Sequence, residues 1–406
     1  MPDAVPAARP RSPYAFALAL APGPLLAGIA GGIVFPIFPI VGQRVGLSLP
    51  FIGLILSANR AARVVSAPFA GVLADRIGGR RTLLLGLALQ IAVIALYLLG
   101  MIAHHEGAAF LIGRLLHGPG SACVFVAAQA LALEAGEAGH RGATAGAVRM
   151  AIVIGVPVGF VAGGVLGDIV GEVWTFAIAG MAICVALIAG YLTVPDLQAK
   201  VARKPSLLAS LVGVQNPRLL ALGGLNFVVS FAAGGMVLTT LALLVEDRHL
   251  VVFGRDAQAS AGLLMGLMSI TDALCTPFAG RLGDRLRAHA PIAAGALGLT
   301  ALGLVVIGVA GTTLGVAAGL ATVGLGIAGL GPSVLVLMGA CVPAQLRGAA
   351  AGFLQLLGDL GGMLGPLVGT ALFATSTETP YLITAGLVVC FVPVALWLVR
   401  VERAMV

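Results

Sequence analysis

Twelve stretches of apolar sequence follow one another through this chain. Each is close to the ~20 residues that an α-helix needs to cross a bilayer. They fall near 15–41, 50–70, 82–103, 109–132, 143–166, 173–194, 219–245, 259–279, 291–310, 314–339, 349–373 and 380–399. A hydrocarbon core offers no water to backbone amides, so each stretch must close its hydrogen bonds internally, as a helix. Of the 406 residues, 59% are apolar and 10% charged. A soluble domain carries roughly 25% charged residues, so this chain cannot coat a water-facing surface. That excludes a soluble enzyme, and the high hydrophobicity excludes disorder. The 58 glycines show no three-residue period, which removes a collagen-like reading. The fold class expected is an all-α membrane protein with 12 transmembrane helices.

Residues 195–217 are polar and hold both lysines, Lys200 and Lys204. They divide the spans six and six. The expected organisation is an N-terminal six-helix bundle over 1–194, a cytoplasmic basic linker over 195–217, and a C-terminal six-helix bundle over 218–406. With the N-terminus inside, 16 of the 23 Lys and Arg fall on the cytoplasmic side, three outside and four within spans. This bias sets both termini in the cytoplasm. It also accounts for the net charge of +7 without nucleic acid. Arg9 and Arg11 precede a long apolar stretch with no small-residue cleavage site, so a retained first span is expected over a signal peptide. The five cysteines lie in or beside apolar segments, without metal-ligand spacing, and read as small apolar residues.

The two halves are copies. Positions 53–76 align with 262–285, and nine of the 24 pairs are identical. The core is Pro68-Phe69-Ala70-Gly71 against Pro277-Phe278-Ala279-Gly280, followed by Asp75 and Arg76 against Asp284 and Arg285. A second register pairs Arg141 with Arg347, and Gly155, Gly159 and Gly163 with Gly361, Gly365 and Gly369. Parallel repeats of this kind set a substrate site near the midplane between rocking halves.

The segment after span 2 reads Gly71-Val72-Leu73-Ala74-Asp75-Arg76-Ile77-Gly78-Gly79-Arg80-Arg81. Its glycines permit a tight turn, and its arginines suit an anionic leaflet. This pattern resembles the signature loop of the major facilitator superfamily, G-x-x-x-D-R-x-G-x-R-R, at every fixed position. Its echo includes Asp284 and Arg285. The resemblance covers essentially the whole chain. It implies two pseudo-symmetric bundles, with Gly71, Asp75, Arg76, Gly78, Arg80, Arg81, Asp284 and Arg285 as a conformational latch. Three further patterns are similar to the 12-span drug:proton antiporter branch. Span 1 carries Gly32, Pro36 and Pro39, then Gly46-Leu47-Ser48. Span 4 opens Arg114-Leu115-Leu116-His117-Gly118-Pro119-Gly120, with His117 where that branch has Gln. Span 5 carries Gly146, Gly155, Gly159, Gly163 and Gly164, with Phe160 replacing the branch's Pro, whereas span 11 keeps Gly365-Pro366. Gly155, Gly159, Gly163, Gly164, Gly365 and Pro366 form the expected helix-bend motif, where helices approach closely and bend.

Ionisable groups within spans are costly and default to functional candidates. They are Arg60, Arg63, Arg114, Arg149, Asp272 and Asp359, with Glu134 at an inner edge. Arg60 and Arg63 share one face of span 2. In the resembled family, span 2 neighbours span 11 and span 5 neighbours span 8. That suggests Arg60 (or Arg63) with Asp359, and Arg149 with Asp272. Two roles stand for such pairs. One is a static lock between the halves. The other is an acid that exchanges a proton, or frees its Arg for substrate, as the halves move. Arg114 aligns with Leu320 in the second half, and the family assigns the matching Arg to proton coupling. His117 could titrate or simply pack, and Asn59, Gln129, Asn226 and Gln355 could line a cavity or bond a neighbouring helix. No Ser/His/Asp set, Walker loop, dinucleotide motif or metal spacing is present, so neither an enzyme nor a cofactor or metal is expected.

The resulting expectation is a secondary transporter in the inner membrane, driven by the proton gradient. It would work by alternating access, exporting an amphipathic or drug-like compound. The alternative is a proton-coupled carrier of one metabolite, possibly anionic, because four Arg outnumber two Asp inside the spans. The expected partners are a small-molecule substrate, protons and the lipid bilayer, acting on a monomer.

Overall fold

The computed structural model describes residues 18–135, 141–196, 216–343 and 346–404. Most of the expected linker, including Lys200, Arg203 and Lys204, lies outside them, as do Arg9 and Arg11. The side chains of Glu134 and Arg141 are also outside the description. Among the described residues there is no β-strand, and the long helices follow the order of the apolar runs. They are α1 (Pro22–Arg44), α2 (Leu49–Ile77), α3 (Gly79–Ile102), α4 (Glu106–Ala135), α5 (Arg141–Val170) and α6 (Glu172–Thr193). The second set is α7 (Pro217–Asp247), α8 (Ala257–Leu286), α9 (Ala290–Val309), α10 (Thr313–Cys341), α11 (Arg347–Phe373) and α12 (Thr379–Arg403). Eleven candidate spans are long and apolar enough to cross a membrane. The other long helix, α2, has 29 residues but carries Arg60, Arg63, Asp75 and Arg76.

Two of these helices are interrupted. Residues Ser230–Val237 of α7 form a π-helix flanked by α-helical pieces, Pro217–Val229 and Leu238–Asp247. In α12 the helix breaks at Phe391, one residue before Val392-Pro393. The Pro393 ring removes a donor and disfavours the α-region before it, so the break sits where the chemistry puts it. The π-turn has no proline, and hydropathy gave no sign of it.

The segment resembling the signature loop is mostly helical. Gly71 to Ile77 complete α2, and Gly79 already starts α3. The connection is the single residue Gly78, with φ of 91°. One interior glycine costs a helix only ~1 kcal/mol, so Gly71 does not end α2. Arg287 aligns with Gly78 in the repeat, and it also adopts a left-handed φ, 51°.

The chain forms two compact units. The first comprises Met1–Val34, Ala62–Ala162 and Val170–Pro205, the second Phe35–Ala61, Gly163–Ile169 and Ser206–Val406. Within the first, α1 and α5 cross on glycine. A Cβ on Gly28 would lie 3.1 Å from the Gly155 Cα, and one on Gly159 would run into the Ile29 carbonyl. The α3–α4 contact is equally close, because Gly86 faces the Gly120 carbonyl and Cys123. Tyr97 of α3, Phe110 of α4 and Phe176 of α6 form an aromatic cluster, with Tyr97 and Phe110 stacked at 4.3 Å. Within the second unit, α11 crosses α7 at Gly361 and Gly365. A Cβ at Gly365 would lie 2.5 Å from the Phe231 carbonyl oxygen and 2.6 Å from the Gly235 Cα. Lipid tails are as apolar as leucine, so van der Waals contact between close backbones holds such helices together.

Candidate functional site

In the first unit the focus is Arg114 on α4, only 1% exposed. Beside its guanidinium lies the Tyr97 hydroxyl, and Arg63 is within electrostatic reach. His117, one turn further along α4 and buried, is within electrostatic reach of both Arg114 and Arg63. Two glycines make the room. Gly113 leaves space for the Tyr97 ring, and a Cβ on Gly31 would lie 3.1 Å from the His117 Nε2. The stacked Phe110 fixes the ring that carries the Tyr97 hydroxyl. Arg63, Arg114 and His117 therefore lie within electrostatic reach of one another, with a phenol added that the sequence did not single out. Its signal was available: Tyr97 is one of only four tyrosines and sits inside an apolar run.

In the second unit the focus is Arg60 on α2. Its Nη2 donates to the Gly234 carbonyl in the π-turn of α7, at 2.9 Å. Its guanidinium also fills the space where Gly362 of α11 lacks a side chain. Asp359, 7% exposed, lies three residues before Gly362 on the same helix. One turn earlier on α2, Ser57 donates to the Met363 carbonyl at 2.6 Å. Asn226 of α7 donates to the Leu354 carbonyl at 2.7 Å, so it bonds a neighbouring helix. A π-turn widens the helical ring and is frequent at functional sites. Here it coincides with the carbonyl that meets Arg60. Arg60 and Arg63, three residues apart, thus have different surroundings, one in each unit.

The remaining intramembrane charges are less enclosed. Arg149 is exposed in the first unit. Asp272, in the second unit and half-buried, accepts from the Thr276 hydroxyl at 3.1 Å. Of the glycine motif on α5, Gly155 and Gly159 meet α1, whereas Gly164 meets α8 at Gly262 and the Gln258 carbonyl. Gly163 is buried, and Pro366 of α11 lies 3.1 Å from where a Gly235 Cβ would be.

Two of the expected latch residues hold a helix end. Arg80 donates to the Tyr191 carbonyl, with its guanidinium 5.2 Å from the Tyr191 ring centre. Arg81 pairs with Asp196 at 3.7 Å. Both arginines thereby hold the C-terminal end of α6. Asp75 is half-buried and Arg76 exposed. In the repeat, Asp284 contacts His289 at 3.3 Å, and Arg285 is exposed. The Glu402 carboxylate accepts the His289 and Ala290 amides, both at 2.9 Å, and so caps α9. Among the described residues no cluster of His, Cys, Asp and Glu could hold a metal ion.

The sequence profile of the Major Facilitator Superfamily matches residues 20–254 and 224–405. The chain belongs to this superfamily. It is thus a multi-pass membrane transporter, of a family whose members are generally not enzymes. Multidrug resistance protein MdtG of Klebsiella pneumoniae is 27% identical over 383 residues, covering 90% of this chain and 89% of that protein. MdtG of Salmonella paratyphi A is 27% identical over 380 residues, covering 90% and 91%. An uncharacterised transporter of this superfamily, YttB of Bacillus subtilis, is 34% identical over 92 residues, and the chain spans 22% of its length. Among solved structures, the nucleoside transporter NupG superposes with a TM-score of 0.78 at 14% identity, covering 94% of this chain and 98% of that one. An inward-facing bacterial homologue of the human lysosomal transporter Spinster gives 0.74 at 15%, covering 96% of each chain. The human organic anion transporter MFSD10 gives 0.66 at 18%, covering 95% and 100%. At these identities the superpositions establish a common fold.

Proposed function

We propose that this superfamily member exports a small amphipathic, drug-like compound in exchange for protons. In this reading twelve helices cross the inner membrane as two six-helix bundles, 1–194 and 218–406. The linker 195–217 and both termini lie in the cytoplasm. The observation that carries the direction is the similarity to MdtG, which spans nine-tenths of the chain. The group of buried Arg114, His117 and Tyr97 with half-buried Arg63 supports the coupling. A guanidinium 1% exposed in a membrane span is expensive unless it works. A charge there strongly shifts the proton affinity of any acid that approaches it. Asp359 and Asp272 are the acids proposed to bind and release the coupled proton. Arg60, Arg63 and Arg149 complete the set of coupling or cavity residues.

The test is drug tolerance in an efflux-deficient bacterial host. The chain and its Arg114→Ala variant would be compared on cationic, neutral and anionic compounds. Protection by the native chain, lost in the variant at equal expression, is expected. No protection by the native chain at normal expression would overturn the reading. One observation favours a second reading, a carrier of anionic metabolites. Arg114 is 1% exposed and Arg60 fills the Gly362 position, whereas the buried acids among the described residues are Asp359 and, at the N-terminal end of α4, Glu106. A positive interior attracts anions, and uptake of labelled organic anions into proteoliposomes would detect them.

A further inference from the structure

A groove of about 650 Å³ opens on the surface of the second unit between α8, α9 and α10. Its rims are large and exposed: Phe278, Leu282 and Leu299 are 66%, 48% and 38% accessible. Small buried residues, Ala296, Ala328 and Gly329, also line it. A groove floored by small residues and walled by large apolar ones accepts a flexible polymethylene chain.

One end of the groove is charged. Cys275, Phe278 and Leu282 follow one face of α8, and Arg285 continues that face by one more turn. From Cys275 to Arg285 the helix rises about 15 Å at ~1.5 Å per residue. The Arg281 guanidinium lies 5.9 Å from the Phe278 ring centre, at the same end. The acids nearby are Glu402 and the largely exposed Asp284. Glu402 accepts the His289 and Ala290 amides and Asp284 contacts His289. The α9 N-terminus is therefore closed to an added anion, and recognition falls to Arg281 and Arg285. Both are exposed. Guanidinium groups bind phosphate through paired, charge-assisted hydrogen bonds.

We propose that this groove holds an acyl chain of an anionic phospholipid whose phosphate is bound by Arg281 and Arg285. The matched features are an apolar channel along the helices and two cations at its membrane-surface end. They suit a molecule with one charged end and one long apolar end. Basic residues at that level face an anionic leaflet. The site depends only on the chain lying in a bilayer, not on what it transports.

The experiment uses the full-length protein in mixed micelles with equimolar phosphatidylglycerol, phosphatidylethanolamine and phosphatidylcholine. Native mass spectrometry then reads which lipids stay bound. The native chain is expected to retain phosphatidylglycerol preferentially. Each of Arg281→Ala and Arg285→Ala should lower that preference about fivefold, the equivalent of the ~1 kcal/mol that one Arg contributes at an anionic surface. Gly295→Leu keeps both charges and fills the groove. Nothing lies within 4 Å of the position its Cβ would take, so the fold accommodates it. It should reduce retention of all three lipids, with the thermal midpoint unchanged. Equal retention of the three lipids by the native chain would overturn the proposal. So would an unchanged preference in the double arginine variant, or full retention in Gly295→Leu.

Discussion

Glycine does two different jobs in this protein, and substitution separates them. Gly362 is a socket, because a methyl group there would overlap the Arg60 guanidinium. Gly362→Ala should therefore eject Arg60 from its contact with the Gly234 carbonyl. Overpacking of this kind costs ~1–3 kcal/mol. The expected outcome is a lowered thermal midpoint together with lost transport. Gly71, by contrast, has nothing within 4 Å of its Cβ position, so Gly71→Ala should leave the thermal midpoint level or raise it. Tyr97 gives a cleaner probe of chemistry. Tyr97→Phe keeps the stack on Phe110 and removes only the hydroxyl beside Arg114. The hydroxyl lies outside hydrogen-bond geometry, so its loss should change stability by less than ~1 kcal/mol. If the hydroxyl positions Arg114 for coupling, transport in the proteoliposome assay falls well below the loss of folded protein. Equal losses in both measurements would make Tyr97 a packing residue.

Helix ends are held by side chains far away in sequence. Glu402, four residues from the end of the chain, takes both leading amides of α9, and it lies 113 residues from His289. A capping carboxylate also complements the helix dipole. Glu402→Ala should lower the thermal midpoint by an amount equivalent to ~0.5–2 kcal/mol. Glu402→Gln should recover part of it. In the first unit Arg80 and Arg81 meet the end of α6 instead. The two repeat segments thus share sequence but not partners. The π-turn of α7 is a second case. It coincides with the Arg60 contact at Gly234 and with the close crossing of Gly235 on α11, and both follow from packing between helices.

The protein as a whole needs no covalent brace. All five cysteines are free, one of them, Cys390, exposed. Reducing agent should change neither the thermal midpoint nor the electrophoretic mobility of the monomer, which a denaturation scan and a non-reducing gel would check. Under the proposed proton-coupled exchange, Arg114→Ala and at least one of Asp359→Asn and Asp272→Asn should abolish gradient-driven transport. If both Asn variants kept it, neither acid would be the proton carrier.

Residue order alone carried the membrane class, the helix count and the repeat. Hydrophobic length and basic loops are local properties of the chain, and a bilayer reads them directly. The glycine ladders were legible for the same reason, since small residues at helical spacing announce close approach. Arg60, Arg63, Arg114 and Asp359 were found as candidates because charge is conspicuous in an apolar run. Their partners were not legible. That Arg60 meets a π-turn, that Tyr97 stands beside Arg114, and that Glu402 caps α9 depend on contacts between residues 112 to 174 positions apart, or in one case 17. Such contacts arise when helices pack, because a buried donor must find an acceptor wherever the fold provides one.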